Sequence, residues 1–125
     1  MDDTIHQALA RGHVIDITTT GRKTGLARRI EMVFHNFGGR IYISGTPRAD
    51  RRRSWLANLE ADPRMVFHLK GSVVADLPAT AREIDDPVER RAILTRVAAV
   101  WKRTDVDLMV AHSPLVEVTF TDPAR

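Results

Sequence analysis

Arg22, Lys23 and Thr24 stand between two glycines, Gly21 and Gly25, and Arg28 and Arg29 follow within four residues. Two cations, a hydroxyl and a run of backbone N–H groups in one short turn suit an anion such as a phosphate or carboxylate. An ordinary solvated hairpin turn has the same composition, and spacing alone leaves both readings open. A second basic stretch, Gly45–Arg53, holds Arg48, Arg51, Arg52 and Arg53. It reads as an anion clamp, a nucleic-acid patch or a solvated loop. It has no interleaved aromatic residues for base stacking, so no nucleic-acid partner is expected. Trp55, just after this loop, offers apolar bulk and an indole N–H to a pocket wall, and Asn58 lies one helical turn further on. A core tryptophan and a loop-fixing amide are the plainer alternatives.

Other chemistry is hard to find. The five histidines, His6, His13, His35, His68 and His112, have no metal-ligand spacing and are expected on the surface or in the sheet, so no metal is expected. No nucleophile elbow and no phosphate-binding Walker loop occurs. Asp50, Asp62 and Glu89 lie beside arginines, which predicts surface pairing and not an acid/base dyad. Cysteine is absent, which removes disulfides, thiolate ligands and cysteine nucleophiles. An enzyme of this composition needs a bound cofactor to carry its chemistry.

The elements that must position these residues follow from patterning. Asp2 and Asp3, the run Thr4–Arg11 and then Gly12 predict a short helix with both ends marked. Val14, Ile15 and Ile17 carry a strand into three threonines, and the Gly21–Gly25 turn follows, with both glycines supplying conformational freedom. Over Arg29–His35, Ile30, Met32 and Phe34 point one way and Arg29, Glu31 and His35 the other, with Val33 the exception. Asn36–Gly39 reads as a hairpin turn and Arg40–Ser44 as the returning strand. Ser54 is placed to cap a helix over Trp55–Ala61, which Asp62-Pro63 ends. Arg64–Lys70 alternates again, and Ser72–Ile84 is a long β stretch bent near Pro78. Asp86, Pro87 and Glu89 form a helix start with a capping box. That helix runs to about Arg103, with a buried stripe of Ile93, Val97, Val100 and Trp101, and Leu94 and Ala98 beside them. A short helix over Asp105–Ala111 and a strand over Leu115–Phe120 complete the chain.

About six strands in mostly antiparallel order, with three or four helices, predict a mainly β protein with peripheral helices (α+β). A small closed or half-closed barrel manages the strand edges best. At 125 residues, 43% hydrophobic and 28% charged, the chain reads as one globular domain over residues 1–125. Net charge is only +3, a mild bias toward anionic partners. No apolar run approaches the roughly 18 residues a membrane span needs. The acidic start is not a signal peptide, and a cytoplasmic location is expected.

Three stretches taken together, TTTGRKTGLARR, IYISG and SWLANLEADPRM, resemble the deazaflavin-dependent nitroreductase family of the flavin/deazaflavin oxidoreductase superfamily. The similarity spans roughly residues 14–84. It implies an FMN-binding-like split β-barrel, often dimeric, with a groove for the deazaflavin coenzyme F-420. FMN is the second candidate cofactor. Arg22, Lys23 and Arg28 would grip the phosphate beside Thr24. Ser44 would lie near the deazaflavin as the catalytic position, and Trp55, Asn58 and Leu59 would shape the groove. The implied reaction is hydride transfer from reduced cofactor to a small-molecule acceptor: a quinone, a nitroaromatic or an activated alkene. The sequence also departs from the family pattern. Leu26-Ala27 replace a common proline, Gly45-Thr46-Pro47 replace a glycine-rich run, and Tyr42 is the sole tyrosine. Val106, Leu108, Met109 and Val110 stand where C-terminal tyrosines would cover the substrate. R-S-W-L-A-N-L and A-D-L-P-A-T-A-R resemble a side branch linked to fatty acids. A non-redox protein that binds a lipid-like carboxylate, with no cofactor, is therefore the alternative.

Overall fold

Alternating apolar residues give six strands, and the computed structural model closes them into a barrel. It describes residues 2–48 and 53–121. In chain order the elements are α1 (Asp3–Arg11), β1 (Val14–Thr20), β2 (Ala27–Phe37), β3 (Arg40–Ser44), α2 (Ser54–Ala61), β4 (Arg64–Lys70), β5 (Val74–Glu83), α3 (Pro87–Trp101), α4 (Val106–His112) and β6 (Leu115–Phe120). The barrel order is β1-β2-β3-β6-β5-β4, and β4 returns to pair with β1. Every neighbouring pair is antiparallel. Closure leaves no free sheet edge, which is how so much strand stays out of edge-to-edge association.

Register explains the interior. Ile17 stands opposite Ile30 and Ile15 opposite Met32 on β1 and β2, and Ile17 is also opposite Phe67 on β4. Phe67 is fully buried. Phe34 and Phe120 meet it edge-on, with centroids 5.3 and 5.2 Å away. Leu9 of α1 and Trp55, Leu56 and Leu59 of α2 complete this barrel core. The second core lies outside the barrel, where Ile93, Leu94, Val97 and Ala98 of α3 and Met109 of α4 pack onto Tyr42 and Leu115. Strand β3 is therefore buried on both faces beyond Arg40.

The second core accounts for the burial of one sheet histidine and for one departure from expectation. His35 points to the outer face of β2, yet it is buried, because Trp101 at the end of α3 covers it. The buried face of α3 is Ile93, Leu94, Val97 and Ala98, while Val100 is 58% exposed. The helix also stops at Trp101, because Lys102 adopts the left-handed conformation, φ 58°.

The remaining corrections are local. The Asn36–Gly39 turn tightens to Gly38-Gly39, with φ 64° and 90°, the positive pair that a two-residue hairpin of type I′ requires. Ser54 is the first residue of α2 and does not cap it; Arg53 holds the cap position without a side-chain bond. Asp86 does cap α3, through the Glu89 N–H at 2.9 Å. The Glu89 carboxylate turns to Arg82 and leaves the reciprocal half of the box unmade. Strand β5 begins at Val74, and Pro78 lies one residue before its pairing with β6 starts, so its missing N–H costs that ladder nothing.

Candidate active site

The Gly21–Gly25 turn is built by its own backbone. Gly25 donates to the Gly21 carbonyl and Gly21 to the Leu26 carbonyl, both at 2.8 Å. The two glycines serve different needs, which corrects the expectation of shared conformational freedom. Gly25 has φ 72°, whereas Gly21 is needed for room. A Cβ at Gly21 would lie 3.0 Å from both the Leu26 carbonyl oxygen and Thr24 Oγ1. Thr24 Oγ1 accepts from the Leu26 N–H at 3.2 Å, so its proton stays available to a ligand.

Asn58 ties this turn to α2. Its side-chain oxygen accepts from the Arg22 backbone N–H at 3.1 Å and from Arg22 Nη1 at 3.0 Å. Its Nδ2 donates to Thr19 Oγ1 at 3.2 Å. Asn58 and Thr19 are buried, while Arg22, Lys23 and Arg28 are exposed. Asn58 is thus the loop-fixing amide, and it also orients a cation.

Between the turn, β2 and α2 lies a chamber of about 840 Å³, within the size range of small-molecule sites, roughly 300–1,000 Å³. Arg22, Lys23, Thr24 and Arg28 line its charged end, and Ile30, Met32 and Trp55 line its apolar part. Among the described residues none of the three cations is paired with a carboxylate. Elsewhere such pairing is common, as in Arg29 with Asp16, Arg64 with Asp62 and Arg82 with Glu89. The Asp62 carboxyl sits at about 2, chiefly through its bond to Arg64. Glu31, the one carboxylate residue on the chamber wall, is held by Lys70. Unpaired guanidinium and ammonium groups beside a hydroxyl make a donor set for phosphate or carboxylate oxygens.

A smaller chamber of about 310 Å³ adjoins the first and shares Glu31, Met32, Arg53 and Trp55 with it. Ser44 is found here, not with the cations. It is buried, and its hydroxyl donates to the Pro114 carbonyl at 2.8 Å. Trp101 lines this chamber, a wall residue that helical periodicity assigned to the core stripe. The expected C-terminal cover is elsewhere: Met109, Val106 and Val110 belong to the second core, and Leu108 is exposed. None of the four lines either chamber.

The basic loop is only partly visible. Arg51 and Arg52, with Asp50, lie outside the described residues. Arg53 donates to the Thr46 carbonyl at 2.6 Å. Arg48 faces a third cavity of about 550 Å³, where Arg53 and Arg90 mingle with Glu83 and Asp85. That mixture of signs does not favour an anion. Among the described residues no group of histidines and carboxylates is arranged to hold a metal.

Comparison with known proteins decides the family. A family model for F420H(2)-dependent quinone reductase matches residues 2–116. The chain belongs to this family. The F420H(2)-dependent quinone reductases are oxidoreductases whose cofactor is F420. Solved structures agree on the fold. A conserved hypothetical protein of Mycobacterium tuberculosis superposes with a TM-score of 0.76 at 18% identity, over 98% of this chain and 82% of that one. An F420-H2 dependent reductase gives 0.63 at 22%, over 85% and 93%. A pyridoxamine 5′-phosphate oxidase candidate from Listeria innocua gives 0.69 at 11%, over 96% and 93%. The architecture is the FMN-binding-like split barrel. No helix among the described residues is long and apolar enough to cross a membrane.

Proposed function

We propose that this chain passes a hydride from reduced F420 to a quinone-like acceptor, with the cofactor phosphate held by Arg22, Lys23 and Arg28. The observation that carries the reading is this cation set, unpaired among the described residues and gathered on one chamber wall. Its donors fit a phosphate: two guanidinium forks, an ammonium and the Thr24 hydroxyl. When bound in reduced form, F420 would supply the hydride; the acceptor would gain it together with one proton from water, and the oxidised cofactor would return one proton to water.

The protein's part is to bind, orient and exclude water. Asn58 holds Arg22 in place before any ligand arrives, which lowers the ordering cost of binding. Trp55 is an apolar wall common to both chambers. The Ser44 proton is committed to Pro114, so toward a bound cofactor Ser44 would serve as a hydrogen-bond acceptor and not as an acid. Glu31 is committed to Lys70, which leaves solvent as the proton source. The reading includes a homodimer, supported by the family resemblance and by the exposed Val88, Val100 and Leu108 on α3 and α4; light scattering measures it.

Titration of the purified chain with F420, followed by deazaflavin fluorescence, tests the reading. Saturable micromolar binding is expected, with oxidation of the reduced cofactor on addition of a naphthoquinone. A chain that ignores F420 but takes up a fatty acid in native mass spectrometry would replace this reading with a lipid-carboxylate binder on the same cations.

A further inference from the structure

The smaller chamber has a corner that the cation chamber does not share. Val14, Val33, Ser44, Gly45, Thr46 and Trp101 line the smaller chamber and not the larger one, and none of them carries a charge. Trp101 is the last residue of α3, and the left-handed Lys102 turns the chain away immediately behind it. Its indole is only partly buried. It leans on the buried His35 ring, with centroids 5.3 Å apart and planes inclined at 59°. His35 is in turn stacked on Phe37 at 5.6 Å. The wall is therefore the outermost of three mutually supporting rings, held in place from behind.

We propose that Trp101 is a specificity-determining residue for the electron acceptor, which lies in this corner as a flat, uncharged, conjugated ring against the indole. This rests on the functional reading above, in which the cofactor is anchored at the cations. A cofactor so anchored would reach the smaller chamber across residues that the two share, Met32 and Trp55 among them. Val14, Val33 and Trp101 are the apolar side chains of the part it would leave open. An aromatic ring gains offset or edge contact with the indole there. A sulfonated ring loses water there beside the Glu31 carboxylate, with Arg53, held to the Thr46 carbonyl, as the cation on that wall.

Two variants probe the corner from opposite sides. Trp101→Ala removes the wall. Val14→Trp fills the corner from a position that is 44% exposed on β1, without touching α3. The cofactor Kd is read by deazaflavin fluorescence. Acceptor KM and kcat are read with an uncharged naphthoquinone and with its sulfonated analogue. Both variants are expected to raise KM for the uncharged quinone by about tenfold or more, with cofactor Kd changed by less than about twofold. KM for the sulfonated ring stays nearly constant, so the preference for the neutral acceptor shrinks, and Trp101→Phe keeps most of it. If Trp101→Ala does not fold, Val14→Trp decides alone. Unchanged KM in the folded variants overturns the proposal. So does a cofactor Kd that rises in step with KM, which would set Trp101 against the cofactor ring instead. Failure of the parent chain to bind F420 is a separate result, read before any variant, and it overturns the functional reading itself.

Discussion

Asn58 does two jobs with one amide, orienting Arg22 and tying β1 to α2. Asn58→Ala leaves a backbone N–H and the buried Thr19 hydroxyl without their partner. It is expected to lower unfolding free energy by about 1–2 kcal/mol and to weaken cofactor binding at the same time; Asn58→Asp, which sets a carboxylate against Arg22, should weaken binding of the anionic cofactor at least as much. Urea unfolding and fluorescence titration of the same samples check both effects. His35 is the second residue with a measurable signature. Its Nε2 is buried without a partner, and burial, reinforced by nearby His13, holds its pKa below the ordinary 6.5. The unfolded chain therefore binds the proton more readily than the folded one. The stability contribution is fully present above pH 6.5, declines as pH falls toward the lower folded value and is gone below it. The melting temperature should fall between pH 8 and pH 5 by more in the parent than in His35→Leu. Equal falls would place the pH dependence elsewhere.

At the scale of elements, one guanidinium gathers the carbonyls at the end of α4. Arg90 of α3 donates to the carbonyls of Ile84, Met109, Val110 and Ser113 at 2.9, 3.4, 3.0 and 2.7 Å. Three of these belong to α4 or its cap; the Met109 carbonyl also accepts from the Ser113 N–H, whereas those of Val110 and Ser113 lie where the helix offers no later N–H. Arg90→Leu should cost about 3 kcal/mol, seen as a lower urea midpoint at unchanged slope, with the cation chamber intact because it lies on the far side of α2. Helix ends and strands were the part of the fold most legible in the sequence. Asp2, Gly12, Asp62 and Asp86 mark helix boundaries as their chemistry predicts, and β3, β4 and β6 keep their expected bounds. Layering was not legible. Nothing local in His35 or Val100 reveals that helices cover the outer face of β2 and β3, so patterning left the burial of His35 open and read the exposed Val100 as core.

The candidate site belongs to the whole molecule. Its residues come from the β1–β2 turn, from α2 and from the end of α3, and only barrel closure brings them together. The cation cluster was visible because Arg22, Lys23 and Arg28 are close in sequence. The Arg22–Asn58 link, spanning 36 positions, required the fold, as did the placement of Ser44 in a separate chamber and Trp101 on its wall. The central claim is that Arg22 and Lys23 are kept unpaired for a phosphate, and it predicts discrimination between two ligands. The measurement compares Kd for F420 with Kd for the same deazaflavin lacking the phosphate and its tail, in the parent and in Arg22→Ala with Lys23→Ala. The parent should prefer F420 by about tenfold or more. The double variant should lose that preference while its melting temperature barely moves, because exposed turn charges contribute little to stability. A double variant that keeps the parent's preference for the phosphate-bearing cofactor would contradict the account.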